Sequence, residues 1–345
     1  MRRLSAILTF SMLSAAGAAI RYAAPDGGNI PPYTSPETAA NTLQAVADIC
    51  AAGDEILAAP GTYTNGSKCV SGSLTNRVAL PDGVILRSTE GPETTIIEGV
   101  RPASSNAVRC VYLGRKSKLI GFTLRNGGTR GYLQDGYYGQ SGGGAFCEEG
   151  AALESCILVK NDAHNYGGGL YGGIARNCVI ANNDALRGGG AALAELHNCL
   201  IIGNRSSHLG AGTYRSKLFN CTVRLNTSAY SGGGVYETDA TDSVILENSV
   251  KWIHTNHCWG IFTRTCTIPL PERGESNLTN IAEATGLGVD LSQLPPIPDT
   301  VKTNAPAKSR NRIDRKKAAL GLAVSEAPTK KKPKTKSKKT SVAEE

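Results

Sequence analysis

Three markers recur in step between Ser141 and Ser249, and this repeat constrains the fold more than any other feature of the chain. A polar residue followed by Cys stands at Ser155-Cys156, Asn177-Cys178, Asn198-Cys199 and Asn220-Cys221, and degenerately at Asp242-Ser243. The Cys positions lie 22, 21 and 22 residues apart, with 22 more to Ser243. Five residues after each comes an Asn: Asn161, Asn183, Asn204, Asn226 and Asn248. A glycine cluster precedes each one: Gly142–Gly144, Gly167–Gly169, Gly188–Gly190, Gly210-Ala211-Gly212 and Gly232–Gly234.

A period of 21–22 residues is too short for helical repeats, which need about 33 or more, and for propeller blades of about 40. Leucine-rich repeats share the length, but their L-x-x-L-x-L consensus is absent. Two or three short strands per repeat fit one coil of a right-handed parallel β-helix, an all-β, single-stranded solenoid. Equivalent residues then stack about 4.8 Å apart along the axis.

That stacking gives each marker a role. The Asn column reads as a ladder, because Asn tolerates left-handed turns and its amide can bond its neighbours above and below. The glycines mark a second corner, where φ is positive or no Cβ fits. Cys156, Cys178, Cys199 and Cys221 read as one inward column of small apolar side chains. Their parallel Cβ vectors make a disulfide torsion hard to reach. Cys258 and Cys266 lie outside the column and are better placed for a disulfide.

Upstream, short apolar strands are predicted at Glu55–Ala58, Val84–Leu86, Thr95–Ile97, Val108–Leu113 and Leu119–Leu124. Ahead of them Ser35-Pro36-Glu37 reads as a helix start, with Leu43, Val46 and Ile49/Cys50 at helical spacing and Gly53 as the stop. One capping helix suits a solenoid, whose first coil otherwise exposes its edge and core.

The first nineteen residues read as a secretory signal: Arg2 and Arg3, an apolar run from Leu4 to Leu13, and Ala16-Gly17-Ala18 as an A-x-A cleavage site. The run is too short for a transmembrane helix, which takes about 20 apolar residues, so the mature chain is expected to lack one. The net charge of +8 belongs to the other end. Residues 301–345 hold 14 Lys/Arg against 4 Asp/Glu, and the remaining chain holds 23 against 25. The expected organisation is a signal at 1–19, a β-helix at 20–280 with clear repeats at 141–250, and a linker with a disordered Lys-rich tail at 281–345. Such a tail suits polyanions. In an exported protein these are surface polysaccharide or headgroups rather than nucleic acid.

The stretch Tyr22-Ala23-Ala24-Pro25-Asp26-Gly27-Gly28-Asn29 and the Ala59-Pro60-Gly61-Thr62-Tyr63 turn resemble exported bacterial β-helix proteins of the pectin-lyase-like superfamily. Gly121-Phe122-Thr123-Leu124-Arg125-Asn126-Gly127, the GGG/Asn-Cys/Asn repeats and Cys266-Thr267-Ile268-Pro269-Leu270-Pro271 are similar too. The resemblance covers residues 20–280 and departs after Asn280. It implies the fold and an extracellular setting. It leaves activity open, because the superfamily holds lyases, hydrolases, adhesins and members without known function.

Lyases on this fold use Ca²⁺ held by several carboxylates and an Arg or Lys as base. One position past the Asn ladder come Asp162, Asp184 and Arg205 on successive coils, the most enzyme-like constellation in the chain. An Arg beside two Asp is equally an ordinary surface ion pair. Tyr171, Tyr214 and Tyr236, joined by Phe146, form an aromatic column that reads as internal packing or as a sugar platform. His254, His257, Cys258 and Cys266 match no familiar zinc spacing, and Trp252 and Trp259 are expected to cover the end of the core. The reading favoured by the sequence is a monomeric, extracellular, non-enzymatic protein that binds or displays at a glycan surface and needs no cofactor. The alternative is a lyase or glycoside hydrolase on acidic polysaccharide, with Ca²⁺ required only for the lyase.

Overall fold

The computed structural model describes residues 17–131, 136–251, 257–263, 265–267 and 274–275. The chain divides into Met1–Thr303 and Asn304–Glu345, and all described residues belong to the first unit. Each repeat is one coil. From Ala152–Glu154 the chain turns into Ile157–Val159, then Asp162–Tyr166, then Leu170–Tyr171, and returns to pair Ile174–Arg176 with its own start. Repeated along the chain, this builds three long faces. The first runs from Ile20–Ala23 to Gly274–Glu275, the second from Gly61–Tyr63 to Cys266–Thr267, and the third from Thr75–Leu80 to His257–Cys258. A shorter fourth face joins Asp162–Tyr166, Asp184–Arg187, Arg205–Leu209, Thr227–Ser228 and Ser249–Val250. Pairing between coils is parallel throughout the long faces, and parallel crossovers of this kind wind right-handedly. The chain is a right-handed parallel β-helix.

Small apolar residues fill the interior because coils stack too closely for large ones on every rung. Leu153, Ala175, Leu196, Leu218 and Ala240 line the first face; Leu158, Ile180, Ile201, Val223 and Ile245 line the second. All are at most 1% exposed. Cys156, Cys178, Cys199 and Cys221 form a buried column with them, and each thiol points toward a backbone carbonyl two residues back, at 3.2–3.4 Å.

Every corner carries a left-handed residue, but the ladder Asn is not the one. Positive φ falls on the residue before it: Lys160, Asn182, Gly203, Leu225 and Glu247. The corner before the Cys column uses Ser155, Asn177, Asn198, Asn220 and Asp242, all with φ of 51–53°. The expectation that left-handed geometry selects the ladder Asn is therefore corrected. Hydrogen bonding selects it. In the glycine cluster the first residue has positive φ, as at Gly188 (65°), and the second is excluded by contact. A Cβ on Gly189 would collide with the Arg205 carbonyl oxygen of the next coil.

Two upstream expectations also change. Leu119–Leu124 is two strands, Lys118–Ile120 and Thr123–Arg125, because Gly121 turns at φ 76° between the first and second faces. The single capping helix is a 3-10 turn at Pro36–Thr38 and a separate α-helix at Leu43–Ala47. Ala40 breaks the run by exchanging backbone hydrogen bonds with Tyr22 and Ala24 at 2.9 Å. Thr42 caps the α-helix, and Leu43, Val46 and Ala47 seal the first coil. Gln44 reaches the third face, where its Oε1 accepts from the Ala79 amide at 2.7 Å.

Candidate functional site

Hydrogen bonds run unbroken along the Asn column. The Oδ1 of Asn183, Asn204, Asn226 and Asn248 accepts both the backbone N–H and the side-chain N–H of the Asn one coil earlier, at 2.8–3.0 Å. The remaining N–H of Asn161, Asn183, Asn204 and Asn226 goes to the carbonyls of Leu124, Leu158, Ile180 and Ile201. Those four Asn are at most 1% exposed. The column is a framework, and it fixes what stands beside it.

One position further on, Asp162 pairs with Asp184 and Asp184 with Arg205 in parallel register. Asp162 Oδ2 accepts from the Ala103 amide at 3.1 Å, so the loop after Val100 lies against this edge. Desolvation and then the neighbouring Asp162 charge push the Asp184 carboxyl up to about 6, against the pull of Arg205 and Arg101. Its side chain still meets solvent, so the like-charged neighbour is the cause that carries most weight. Two carboxylates leave a Ca²⁺, which takes six to eight oxygens, largely to water. Among the described residues no three His, Cys, Asp or Glu side chains converge.

The aromatic column stands outside the coil. Ala145, Leu170, Ala191, Thr213 and Val235 point inward from the third face, so their neighbours Phe146, Tyr171, Ala192, Tyr214 and Tyr236 point outward. Ala192 interrupts the rings, and Tyr166 bridges the gap from the fourth face. The result is one run of seven rings: Tyr112, Phe146, Tyr171, Tyr166, Tyr214, Tyr236 and Trp259. Successive centroids lie 4.9–6.3 Å apart. Guanidinium groups lie over three of them: Arg109 over Phe146 at 5.0 Å, Arg187 over Tyr166 at 5.5 Å and Arg215 over Tyr214 at 5.2 Å. Phe146, Tyr214 and Tyr236 are buried, whereas Tyr112, Tyr166 and Tyr171 are half-buried. Trp259 is 66% exposed and stands at the end of the run, so the expectation that it covers the core is corrected. Trp252, His254 and the side chains of His257, Cys258 and Cys266 lie outside the described residues.

At the other end of the run is a cleft of about 250 Å³, lined by Val70, Leu74, Asn76, Arg109, Tyr112 and Glu148. Tyr112 Oη donates to Glu148 Oε1 at 2.7 Å. Arg109 donates to Asn76 Oδ1 and to the carbonyls of Ser141 and Gly142 at 2.7–2.9 Å. Burial pushes its guanidinium down to about 9, so it remains cationic at neutral pH. The sequence phase identifies Phe146, Tyr171, Tyr214 and Tyr236. It misses Tyr112, which precedes the clear repeats, and also Tyr166 and the three arginines, which join the column from outside its phase.

No protein-family model matches the chain, and neither does any curated protein. Solved structures do match in the course of the chain. Pectate lyase Pel9A is 14% identical, with 77% of this chain and 78% of that one covered at a TM-score of 0.49. Pectin methylesterase PemA from Erwinia chrysanthemi is 10% identical, with 83% and 100% covered at 0.42. The strand order given above is that of a parallel β-helix.

Proposed function

We propose that this chain is an extracellular, non-enzymatic β-helix that binds acidic glycan along its third face. The observation that supports this reading is the run of seven rings with interleaved guanidinium groups. Ring faces and edges suit the C–H surfaces of sugars, and arginine suits carboxylates. The rings a saccharide can reach are the half-buried Tyr112, Tyr166 and Tyr171 and the exposed Trp259, with the buried Phe146, Tyr214 and Tyr236 stacked between them, and Arg187 and Arg215 are the guanidinium groups within its reach. The cleft beside Tyr112 has room for one monosaccharide-sized group, and Trp259 offers an exposed ring at the far end. No step of this reading needs a metal or cofactor. The test is retention of the full-length chain in gels containing polygalacturonate, alginate or neutral glucan. Retention by the acidic polymers, reduced in Tyr171→Ala and in Trp259→Ala, is the expected result. Equal mobility of all three proteins in every gel overturns it.

One observation favours a second reading, hydrolysis or lyase action on the same class of polymer. Asp162 and Asp184 stand on adjacent coils, and the Asp184 carboxyl is pushed up to about 6, toward the range a general acid uses. Loss of a measured activity in both Asp184→Asn and Arg205→Ala, with polymer retention unchanged, would select it.

A further inference from the structure

The second face is apolar on both sides over three coils. Its strands Ile157-Leu158-Val159, Val179-Ile180-Ala181 and Leu200-Ile201-Ile202 have no polar alternation. The middle residues belong to the interior. The outer six form a cluster of their own, joined by Leu225 and separate from the core. They point away from the coil axis, yet they are only 0–6% exposed. The first face of the same coils differs. There the outward positions are Ala152, Glu154, Ile174, Arg176, Glu195 and His197, four of the six polar and all but Ala152 partly exposed.

The apolar rows also have a sharp rim. One coil before, the outer positions are Thr123 and Arg125, and Arg125 pairs with Glu98 at 2.7 Å. One coil after, they are Thr222 and Arg224, and Arg224 pairs with Glu247. Six outward apolar side chains this well buried, bounded by ion pairs, mark a covered face rather than a solvated one. Its area is about 14 Å by 7 Å, the footprint of one chain segment.

We propose that the occupant is residues 277–297 of this same chain. Leu278, Ile281, Leu287, Val289, Leu291, Leu294 and Ile297 supply apolar side chains, with only Glu283 and Asp290 charged. The stretch beyond it, 301–345, is dominated by 14 Lys/Arg and does not suit an apolar surface. Reach is sufficient. The last described strand of the second face is Cys266–Thr267, which pairs with Val244–Ile245. From there the patch centre at Val179 is four coils back, about 19 Å, or roughly six extended residues. The segment thereby straps the middle coils and ends where the basic tail begins.

The test places the photo-crosslinking residue p-benzoylphenylalanine at Leu200 or, separately, at Val179 in the full-length chain, and maps the linked peptides by mass spectrometry. The expected product at either position is an intramolecular link to a peptide within 277–297. A second variant, Ile281→Asp, leaves the coil itself untouched and is expected to raise binding of the dye ANS several-fold. Links to another copy, to residues 1–16, or to solvent alone overturn the assignment, as does unchanged dye binding in Ile281→Asp.

Discussion

Replacing Asn204 by Leu removes a rung of the buried ladder, and the structure states what is lost. Asn204 Oδ1 accepts from the Asn183 backbone and side-chain N–H groups at 2.9 and 3.0 Å. Its Nδ2 donates to the Ile180 carbonyl at 2.9 Å and to Asn226 Oδ1 at 3.0 Å. Leu is of similar size but has no polar atom. The Asn183 amide and the Ile180 carbonyl lose these partners at a site that is 0% exposed, and water cannot replace them. At about 1–3 kcal/mol for each orphaned group the expected loss is roughly 2–6 kcal/mol. Asn226 adds little, because its Oδ1 keeps the Asn204 backbone N–H. The assay is urea unfolding followed by circular dichroism, with Asn220→Gly as control. Asn220 belongs to a second, partly exposed row, bonds Asn198 at 2.9 Å, and has φ of 52°, which Gly adopts freely. The control is expected to lose under about 1 kcal/mol. Equal midpoints for Asn204→Leu and wild type would refute the claim that the ladder holds the coils.

Three more outcomes follow from the geometry. Asp184 titrates at about 6 instead of 3.8, so the folded chain binds the extra proton between those values and loses stability as pH rises through them. Asp184→Asn is therefore expected to stabilise at pH 7 and to be neutral at pH 3.5, by under about 1 kcal/mol because the side chain meets solvent. Melting curves at the two pH values check this, and a stabilisation confined to acid contradicts it. Among the described thiols Cys69 is exposed, while Cys110, Cys147, Cys156, Cys178, Cys199 and Cys221 are buried. Desolvation pushes Cys110 up to about 12. Alkylation with peptide mapping is expected to find Cys69 modified in the folded chain and these six only after unfolding. Cleavage after Ala18 would give Ala19 a free amino group, and its nitrogen lies 2.8 Å from Asp54 Oδ1. N-terminal sequencing of exported protein is expected to begin at Ala19, one residue earlier than a signal spanning 1–19 would give, and Asp54→Asn to lower the melting temperature of that form.

The repeat made the coil legible because stacked positions must solve the same local problem each time. Cys fills the same narrow interior space, Asn bonds the same two neighbours, and in four of the five clusters a second glycine avoids the same carbonyl, Ala211 taking that place in the other. Features that depend on contact between different positions of the coil were not legible. Tyr166 enters the aromatic run only because Ala192 leaves room above it. Arg109 reaches Phe146 from a coil upstream of the clear repeats. The helix break at Ala40 is likewise a tertiary effect, because a backbone pairing with Tyr22 and Ala24 outweighs local helical spacing. The Asp162–Asp184–Arg205 order followed from phase alone, whereas the Ala103 amide on Asp162 comes from a distant loop.

The most direct test of the account follows one sample in two ways. Full-length protein with Ca²⁺ is mixed with pectate or alginate, and both polymer retention and the ultraviolet absorbance of unsaturated uronate are recorded. Lyase chemistry needs charge stabilisation at the uronate carboxylate and a base at the abstracted proton. Among the described residues the edge beside the ladder brings Asp162, Asp184 and Arg205 toward these roles, with Arg101 near enough to act on Asp184. The account predicts retention that Tyr171→Ala weakens, together with a flat absorbance trace. A Ca²⁺-dependent rise in absorbance that Arg205→Ala abolishes would contradict it.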